Sequence, residues 1–190
     1  MVASVVVIVS ISSTRSEVMF KSGHIKGSLN IQNGGKFDTW LGTIVAATEP
    51  YYLVGSSTDE LEHVIARTAA IGYESMITGA FILKSDDANS VQSRADLEAL
   101  MKSPEKYTIV DVRGVSEAKE RPMFAHAIVL PLPELRERLN EIPTDKPIMV
   151  HCAAGYRSAA AASIIDRVMG DNVEVHDVGD SIKEVPVISA

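Results

Sequence analysis

Short apolar runs alternate with amphipathic segments along the whole chain, and this alternation limits the fold more than any other feature. The first half contains the strand-like runs "SVVVIVSIS", "YYLVGSS" and "MITGAFIL" around the helix-like "STDELEHVIARTAAIGY". The second half repeats this order with "YTIVDVRG", "HAIVLPL", "PIMVHC", the helix-like "RSAAAASIIDRVMG" and "NVEVHDVGD". Strands that alternate with helices are typical of α/β units built on a mostly parallel sheet. The sequence therefore predicts two small α/β units, each a mostly parallel sheet flanked by helices.

The polar stretch at residues 84–90 separates the two units. We place the first unit at residues 1–84, a linker at 85–92 and the second unit at 93–190, each with the length of a small domain. Two further helices are predicted in the second unit. They are "SRADLEALM", which starts at Ser93, and the Pro-started "LPELRERLNEIP".

Composition removes several classes of function. A net charge of -7 argues against a nucleic-acid partner. The longest apolar run, "VASVVVIVSI", is shorter than the about 20 residues that a membrane span needs, so we expect no membrane partner. A single cysteine excludes an internal disulfide and fits a reducing, cytoplasmic location. The histidines show no metal-ligand spacing, so we expect neither a metal site nor a cofactor.

The single cysteine, Cys152, lies where the strand "PIMVHC" meets the helix "RSAAAASIIDRVMG". In open α/β folds such strand-to-helix loops form the usual ligand crevice. A loop that enters a helix N-terminus presents unpaired N–H groups and the positive end of the helix dipole. Both favour a thiolate, so the position predicts a nucleophilic cysteine rather than a small buried one.

The residues after Cys152 support this interpretation. Ala153, Ala154 and Gly155 are small enough for the backbone to approach a bound group closely, and Gly155 also permits a positive φ. Arg157 adds a fixed positive charge. Ser158 is predicted either to cap the new helix or to donate to the sulfur.

The segment "HCAAGYRSA" resembles the active-site loop of the rhodanese (sulfurtransferase) family. The segment "YTIVDVRGVSEA" resembles that family's opening strand and its Asp-x-Arg turn, at Asp111 and Arg113, and "VEVHDVGDSIKE" resembles its closing strand. In the first half, "FKSGHIKGSLNIQ" is similar to another rhodanese stretch, so the chain resembles a tandem rhodanese. Together with "FDTWLG", the first half also resembles the unit that follows a metallo-β-lactamase-type persulfide dioxygenase in some fusions. That resemblance implies a persulfide dioxygenase domain as a partner in the same chain.

The resemblance implies a sulfurtransferase that moves a sulfane sulfur from thiosulfate or a low-molecular-weight persulfide to a thiol or cyanide acceptor. The sulfur would be carried as a Cys152 persulfide. Its terminal sulfur would be cradled by the N–H groups of the loop residues Ala153, Ala154, Gly155, Tyr156, Arg157 and Ser158. Asp111 and Arg113 are expected to support the site as an ion pair, and Tyr156 either shapes acceptor access or is simply exposed.

Two departures from the family pattern separate the halves. The first half has no thiol at residues 55–57, where the family places it, so we interpret this half as an inactive unit. In the second half His126 occupies a position where the family usually has a small residue.

We expect His151 to point to the face opposite Cys152 and to make a structural hydrogen bond. Trp40 and Phe37 are expected to pack within the first unit.

Two alternatives to a sulfurtransferase stay open. The spacing Cys-x4-Arg is one residue shorter than the Cys-x5-Arg loop of protein tyrosine phosphatases. A small-loop cysteine phosphatase or arsenate reductase-like enzyme would need a general acid, for which Asp111 and Asp177 are the candidates. A non-enzymatic persulfide-sensing or scaffold module would use Cys152 persulfidation as its signal.

Overall fold

A computed structural model describes residues 10–187 of the chain, which form two parallel sheets flanked by helices. The first sheet has the strand order β2-β1-β3-β4, with strands β1 (Ser10–Ser13), β2 (Leu29–Asn30), β3 (Tyr51–Gly55) and β4 (Ile77–Ile82). The second sheet has the order β5-β9-β8-β6-β7, with strands β5 (Ser93–Arg94), β6 (Thr108–Asp111), β7 (Ile128–Val129), β8 (Ile148–His151) and β9 (Val175–Asp177).

Six α-helices lie among the described residues. They are α1 (Glu17–Ser22), α2 (Phe37–Ile44), α3 (Thr58–Ala70), α4 (Leu97–Lys102), α5 (Val115–Glu120) and α6 (Tyr156–Met169). The predicted α/β class is therefore confirmed. The N-terminal part of the predicted strand "SVVVIVSIS" falls outside the described residues. None of the described helices combines the length and the apolar character that crossing a membrane would require.

Helix starts follow local sequence signals. The Ser57 side chain accepts a hydrogen bond from the N–H of Glu60 and caps α3, and the Asp96 side chain accepts one from Ala99 and caps α4. Helix α6 instead starts from Gly155, whose φ of 98° is a conformation that favours glycine.

Two local predictions were wrong. Ser93 begins strand β5, which pairs with β9, and the predicted helix starts only at Leu97 after the Asp96 cap. The segment "LPELRERLNEIP" forms two short 3-10 turns, Leu132–Glu134 and Leu139–Glu141, instead of one helix. Leu132 and Leu135 are buried in this segment, so anchoring to the core outweighs its helical periodicity.

One apolar core extends through both halves of the chain. It includes Leu29, Ile31 and Phe37 from the first half and Val150 and Ile165 from the second. Helix α6 reaches the first sheet directly, because the backbone N–H of Asn30 donates to Ser163 Oγ at 2.9 Å. The two sheets are therefore joined by packing as well as by the chain between them.

Candidate active site

Cys152 follows the last residue of β8 and is almost completely buried, with 1% of its surface exposed. The backbone N–H of Gly155 donates to Cys152 Sγ at 3.2 Å. On the other side, Sγ lies 3.6 Å from Ser158 Oγ, to which the thiol donates. The sulfur thus contacts Gly155, the cap residue of helix α6, and Ser158 in the first turn of that helix.

The loop ends at the N-terminus of a helix of 14 residues. The first-turn N–H groups of such a helix have no intrahelical partner and form the positive end of its dipole. Ser158 lies inside this turn, where its hydroxyl donates to the Gly155 carbonyl at 3.0 Å. Neither of the two roles predicted for Ser158 is formed, since Gly155 is the cap residue and the Ser158 hydroxyl accepts from the Cys152 thiol instead of donating to it. Ala153 and Ala154 are exposed and form the outer rim of the loop.

Arg157 makes a two-pronged ion pair with Glu117 of helix α5. Its Nη1 and Nη2 donate to the two carboxylate oxygens at 2.7 and 2.8 Å. These hydrogen bonds raise the pKa of Arg157, although burial opposes them, and the nearby Cys152 adds a smaller contribution in the same direction. Arg157 is thus a permanent cation within electrostatic range of the sulfur, and Glu117 fixes its position.

Asp111 and Arg113 form a buried ion pair beside the loop. Arg113 donates from Nε at 2.9 Å and from Nη2 at 2.6 Å to Asp111, and Nη2 also donates to the Arg121 carbonyl at 3.0 Å. This geometry holds the turn after β6 against helix α5, and it makes Asp111 a structural carboxylate.

His151 lies on the sheet face opposite Cys152, and its ring stacks edge-on against Phe124 with centroids 5.2 Å apart. Neither ring nitrogen has a hydrogen-bond partner within residues 10–187, and Asp111 Oδ2 is 3.8 Å from Nε2. The expected structural hydrogen bond is therefore not formed there. Burial lowers the pKa of His151, which keeps the ring neutral.

The first half contacts the loop through Tyr156. The Tyr156 hydroxyl donates to the Gln32 carbonyl, and its ring packs so closely on Gly34 that a Cβ at Gly34 would lie 3.1 Å from Tyr156 Cε2. Of the two roles considered for Tyr156, simple exposure is excluded because the side chain is half-buried against the first half.

A second contact between the halves lies under the loop. Lys21 of helix α1 places Nζ 2.6 Å from Asp177 Oδ2, and both side chains are buried. The other Asp177 oxygen accepts a hydrogen bond from the N–H of Gly179 at 2.9 Å. The Gly179 turn in turn packs against Gly155, where an added Cβ would meet the Gly179 carbonyl carbon at 3.1 Å. The ion pair therefore supports the turn on which the loop is built.

The first half has the same strand-to-helix junction between β3 and α3, but a carboxylate fills it. Glu60 accepts hydrogen bonds from the backbone N–H and the hydroxyl of Ser56 and, at 2.7 Å, from the Thr14 hydroxyl. Burial works to raise the pKa of Glu60, but these hydrogen bonds outweigh it and hold the pKa below the ordinary 4.5. The place that a bound anion would take is occupied by the chain's own side chain.

Replacing Glu60 by glutamine is expected to lower the free energy of unfolding by about 2 kcal/mol at neutral pH, because hydrogen bonds to a charged group are lost. Since the folded-state pKa of Glu60 is depressed, its contribution is complete above the unfolded pKa and disappears as pH falls through the folded pKa. Urea unfolding across this pH range would measure the difference. Glu62→Gln, at an exposed position of the same helix, is the control. A Glu60 effect that persists unchanged in acid would contradict this account.

Several neighbouring residues were not identified from the sequence. Glu117 and Lys21 lie on short helices and Lys36 lies in the turn before α2, and no local sequence pattern distinguishes these three from ordinary surface residues. Trp40 and Phe37 were both assigned to packing. Phe37 is fully buried, whereas Trp40 also lines a groove beside Arg157.

His126 lines a different cavity of about 610 Å³, together with Tyr107, Met123 and Phe124. None of the residues of the Cys152 loop lines this cavity, so its size does not make it the reaction site. No group of three or more His, Cys, Asp or Glu side chains within residues 10–187 is arranged to hold a metal ion.

Comparison with known proteins identifies the part of the chain that contains this loop. Residues 93–181 match the family described as "Rhodanese-like domain". A tRNA sulfurtransferase from Psychromonas ingrahamii is 27% identical over 84 residues, which are 43% of this chain and 17% of that protein. The uncharacterized protein YqhL from Bacillus subtilis is 37% identical over 60 residues, which are 32% of this chain and 47% of that protein.

Among solved structures, a rhodanese-related protein from Thermoplasma volcanium is similar to this chain at 30% identity and a TM-score of 0.44. The match covers 50% of this chain and 97% of that one. The chain spans less than half of the length of the tRNA sulfurtransferase and less than half of the length of YqhL.

Proposed function

Because residues 93–181 are a rhodanese-like domain, we propose that the chain is a sulfurtransferase whose nucleophile is Cys152. The observation that carries the proposal is the position of the thiol at the N-terminus of α6, with the Gly155 N–H directed at Sγ from 3.2 Å. Backbone N–H groups and a helix dipole that are already oriented stabilise negative charge on sulfur without reorganisation. The tRNA sulfurtransferase among the relatives supports this type of activity at the level of the family.

In the first step, the Cys152 thiolate attacks the outer sulfur of the donor. A new S–S bond forms on Sγ while the donor's own bond to that sulfur breaks, and the electron pair leaves with sulfite from thiosulfate or with the thiolate from an organic persulfide. In the second step, an acceptor thiolate or cyanide attacks the terminal sulfur of the Cys152 persulfide. The acceptor gains the sulfur, and Cys152 returns to a thiolate.

The remaining loop residues have distinct roles in this proposal. Ala153 and Ala154 leave the loop rim open to the donor, and the first-turn N–H groups of Tyr156, Arg157 and Ser158 help to hold the terminal sulfur. Asp111 and Arg113 keep the adjacent turn in place through their buried ion pair. A reducing compartment such as the cytoplasm would keep Cys152 available as a thiol.

The first half is proposed to be a second rhodanese-like unit that performs no sulfur chemistry. It has no thiol at the junction of β3 and α3, and Glu60 already accepts the hydrogen bonds that an anion would need there. The association with a persulfide dioxygenase domain in the same chain is likewise a proposal, which rests on the resemblance of the first half.

Sulfur loading tests the proposal directly. The reduced protein is incubated with thiosulfate and, separately, with glutathione persulfide, and its intact mass is measured. We expect a mass increase of one sulfur atom, which cyanide or a thiol then removes, and no such increase for Cys152→Ser. If neither donor loads a Cys152 that alkylation shows to be reduced and reactive, the sulfurtransferase proposal is wrong.

The same experiment separates the alternatives. Stable loading without measurable discharge to any acceptor would favour a persulfide-sensing or scaffold role. Phosphate-ester or arsenate turnover that depends on Cys152 would favour the phosphatase-like class. Two features weigh against that class, namely the short Cys-x4-Arg loop and the engagement of both candidate acids, Asp111 and Asp177, in buried ion pairs.

A further inference from the structure

A groove of about 480 Å³ lies where the two halves meet beside the Cys152 loop. Its walls come equally from the two halves, with Gly35, Lys36 and Trp40 on one side and Glu117, Tyr156 and Arg157 on the other. Tyr156 and Arg157 directly follow the loop glycine, and Arg157 is within electrostatic range of Cys152. The groove therefore adjoins the loop that holds the sulfur, and half of its wall is supplied by the unit that has no thiol.

The wall from the first half is held rigidly before any ligand binds. Arg67 donates to the Gly34 carbonyl at 2.9 Å and to Asn33 Oδ1 at 3.0 Å. The same guanidinium pairs with both oxygens of Asp38 and lies 5.1 Å from the centre of the Phe37 ring. These contacts fix the segment that presents Lys36 and Trp40, so a ligand that binds there does not have to order it.

The groove is larger than an inorganic sulfur donor requires. Its volume falls in the range of about 300–1000 Å³ that is typical of sites for organic ligands. An anion the size of thiosulfate would fill only a fraction of it. The volume therefore fits a donor or acceptor whose sulfur is attached to an organic body.

The charged residues of the groove indicate which chemical group the organic part of the ligand carries. Glu117 is already neutralised by its ion pair with Arg157. The exposed ammonium of Lys36 therefore leaves a net positive charge on the opposite wall. A carboxylate is its natural partner, while the Trp40 and Tyr156 rings offer apolar surface to the rest of the ligand.

We propose that Lys36 and Trp40 of the first half select an organic, carboxylate-bearing thiol or persulfide of about tripeptide size as the substrate of Cys152. This inference rests on the proposed sulfurtransferase function and names the substrate class of the same site. The half without a thiol thereby determines specificity, and inorganic thiosulfate reaches the sulfur without using the groove.

Steady-state sulfur transfer to cyanide tests this assignment, with glutathione persulfide and thiosulfate compared as donors. Lys36→Glu and Trp40→Ala are each expected to raise the KM for glutathione persulfide by about tenfold. Both variants should change the KM for thiosulfate far less than the KM for glutathione persulfide. Trp40→Phe should recover part of the loss because it retains an aromatic surface. Lys102→Glu, which makes the same change of charge at an exposed lysine of α4, is the control for a general effect of charge.

Equal effects on both donors, or no effect on either, would overturn the assignment. Trp40 also packs against the core, so Lys36→Glu, which changes an exposed side chain, keeps the test decisive if Trp40→Ala unfolds. A binding titration of Cys152→Ser with glutathione separates the two proposals, because it requires no sulfur transfer. Binding that Lys36→Glu weakens about tenfold would support the groove even if the wild-type protein loaded no sulfur. Absence of binding would reject the groove while leaving sulfur transfer from thiosulfate intact.

Discussion

Replacing Lys21 by methionine is expected to lower the free energy of unfolding by about 3–5 kcal/mol. The ammonium lies 2.6 Å from Asp177 Oδ2, and the Asp177 side chain is completely buried. Without Lys21, Asp177 keeps a hydrogen bond from the Gly179 N–H but loses its counter-charge, and the nearby Glu17 carboxylate adds repulsion. Urea unfolding at neutral pH would measure the loss.

Two control variants test whether the unpaired charge of Asp177 causes this loss of stability. The double variant Lys21→Met, Asp177→Asn should recover much of the lost stability, since the amide oxygen can still accept from Gly179 and no charge is buried. Lys26 also pairs with a residue of the other half, Asp171, but both side chains are largely exposed. Lys26→Met should therefore leave the unfolding transition nearly in place. Equal losses for the Lys21 and Lys26 variants would contradict the argument.

Replacing Gly155 by alanine is expected to slow sulfur loading of Cys152 by about 100-fold, because small displacements of reacting groups cost about that much. The residue has a φ of 98°, and an added Cβ would lie 3.0 Å from the Asp180 nitrogen and 3.1 Å from the Gly179 carbonyl carbon. These neighbours are backbone atoms, so the loop itself has to shift and carry the Gly155 N–H away from Sγ. The strained backbone should also lower the free energy of unfolding by about 1–3 kcal/mol.

Single-turnover loading, followed by intact mass, measures the first effect and urea unfolding the second. Gly114→Ala is the matched control, because Gly114 precedes helix α5 with a φ of -61° and has no neighbour within 4 Å of an added Cβ. Its loading rate and stability should stay close to those of the wild type. If Gly155→Ala loads sulfur at the normal rate, the loop conformation does not govern the chemistry.

The sequence predicted those parts of the fold that depend on periodicity. The apolar runs at β3, β6 and β8 and the long helices α3 and α6 have local patterns strong enough to identify them. The short helix after Asp96 was assigned too early a start, because the pairing of Ser93 with His176 of β9 depends on distant residues. The segment after Pro131 was misassigned because the burial of Leu132 and Leu135 overrides its helical pattern.

The sequence predicts the site residues that are neighbours in the chain, but not those that only folding brings close to the loop. Cys152, Gly155 and Ser158 are close in sequence, so the loop motif by itself groups them into one site. Glu117 and Lys21 are distant in sequence from the residues they pair with, and only the folded chain reveals these contacts. Trp40 was assigned to the core because a partly exposed aromatic residue has the same sequence signature as a packed one.

The apolar core that extends through both halves has a consequence for how the sequence can evolve. Leu29 and Phe37 belong to the same buried cluster as Val150 and Cys152 itself. A mutation that shrinks either of the first two residues therefore loosens the packing of the cluster that contains the Cys152 side chain. Under the proposed function, selection for sulfur transfer would therefore also act on the buried apolar residues of the first half.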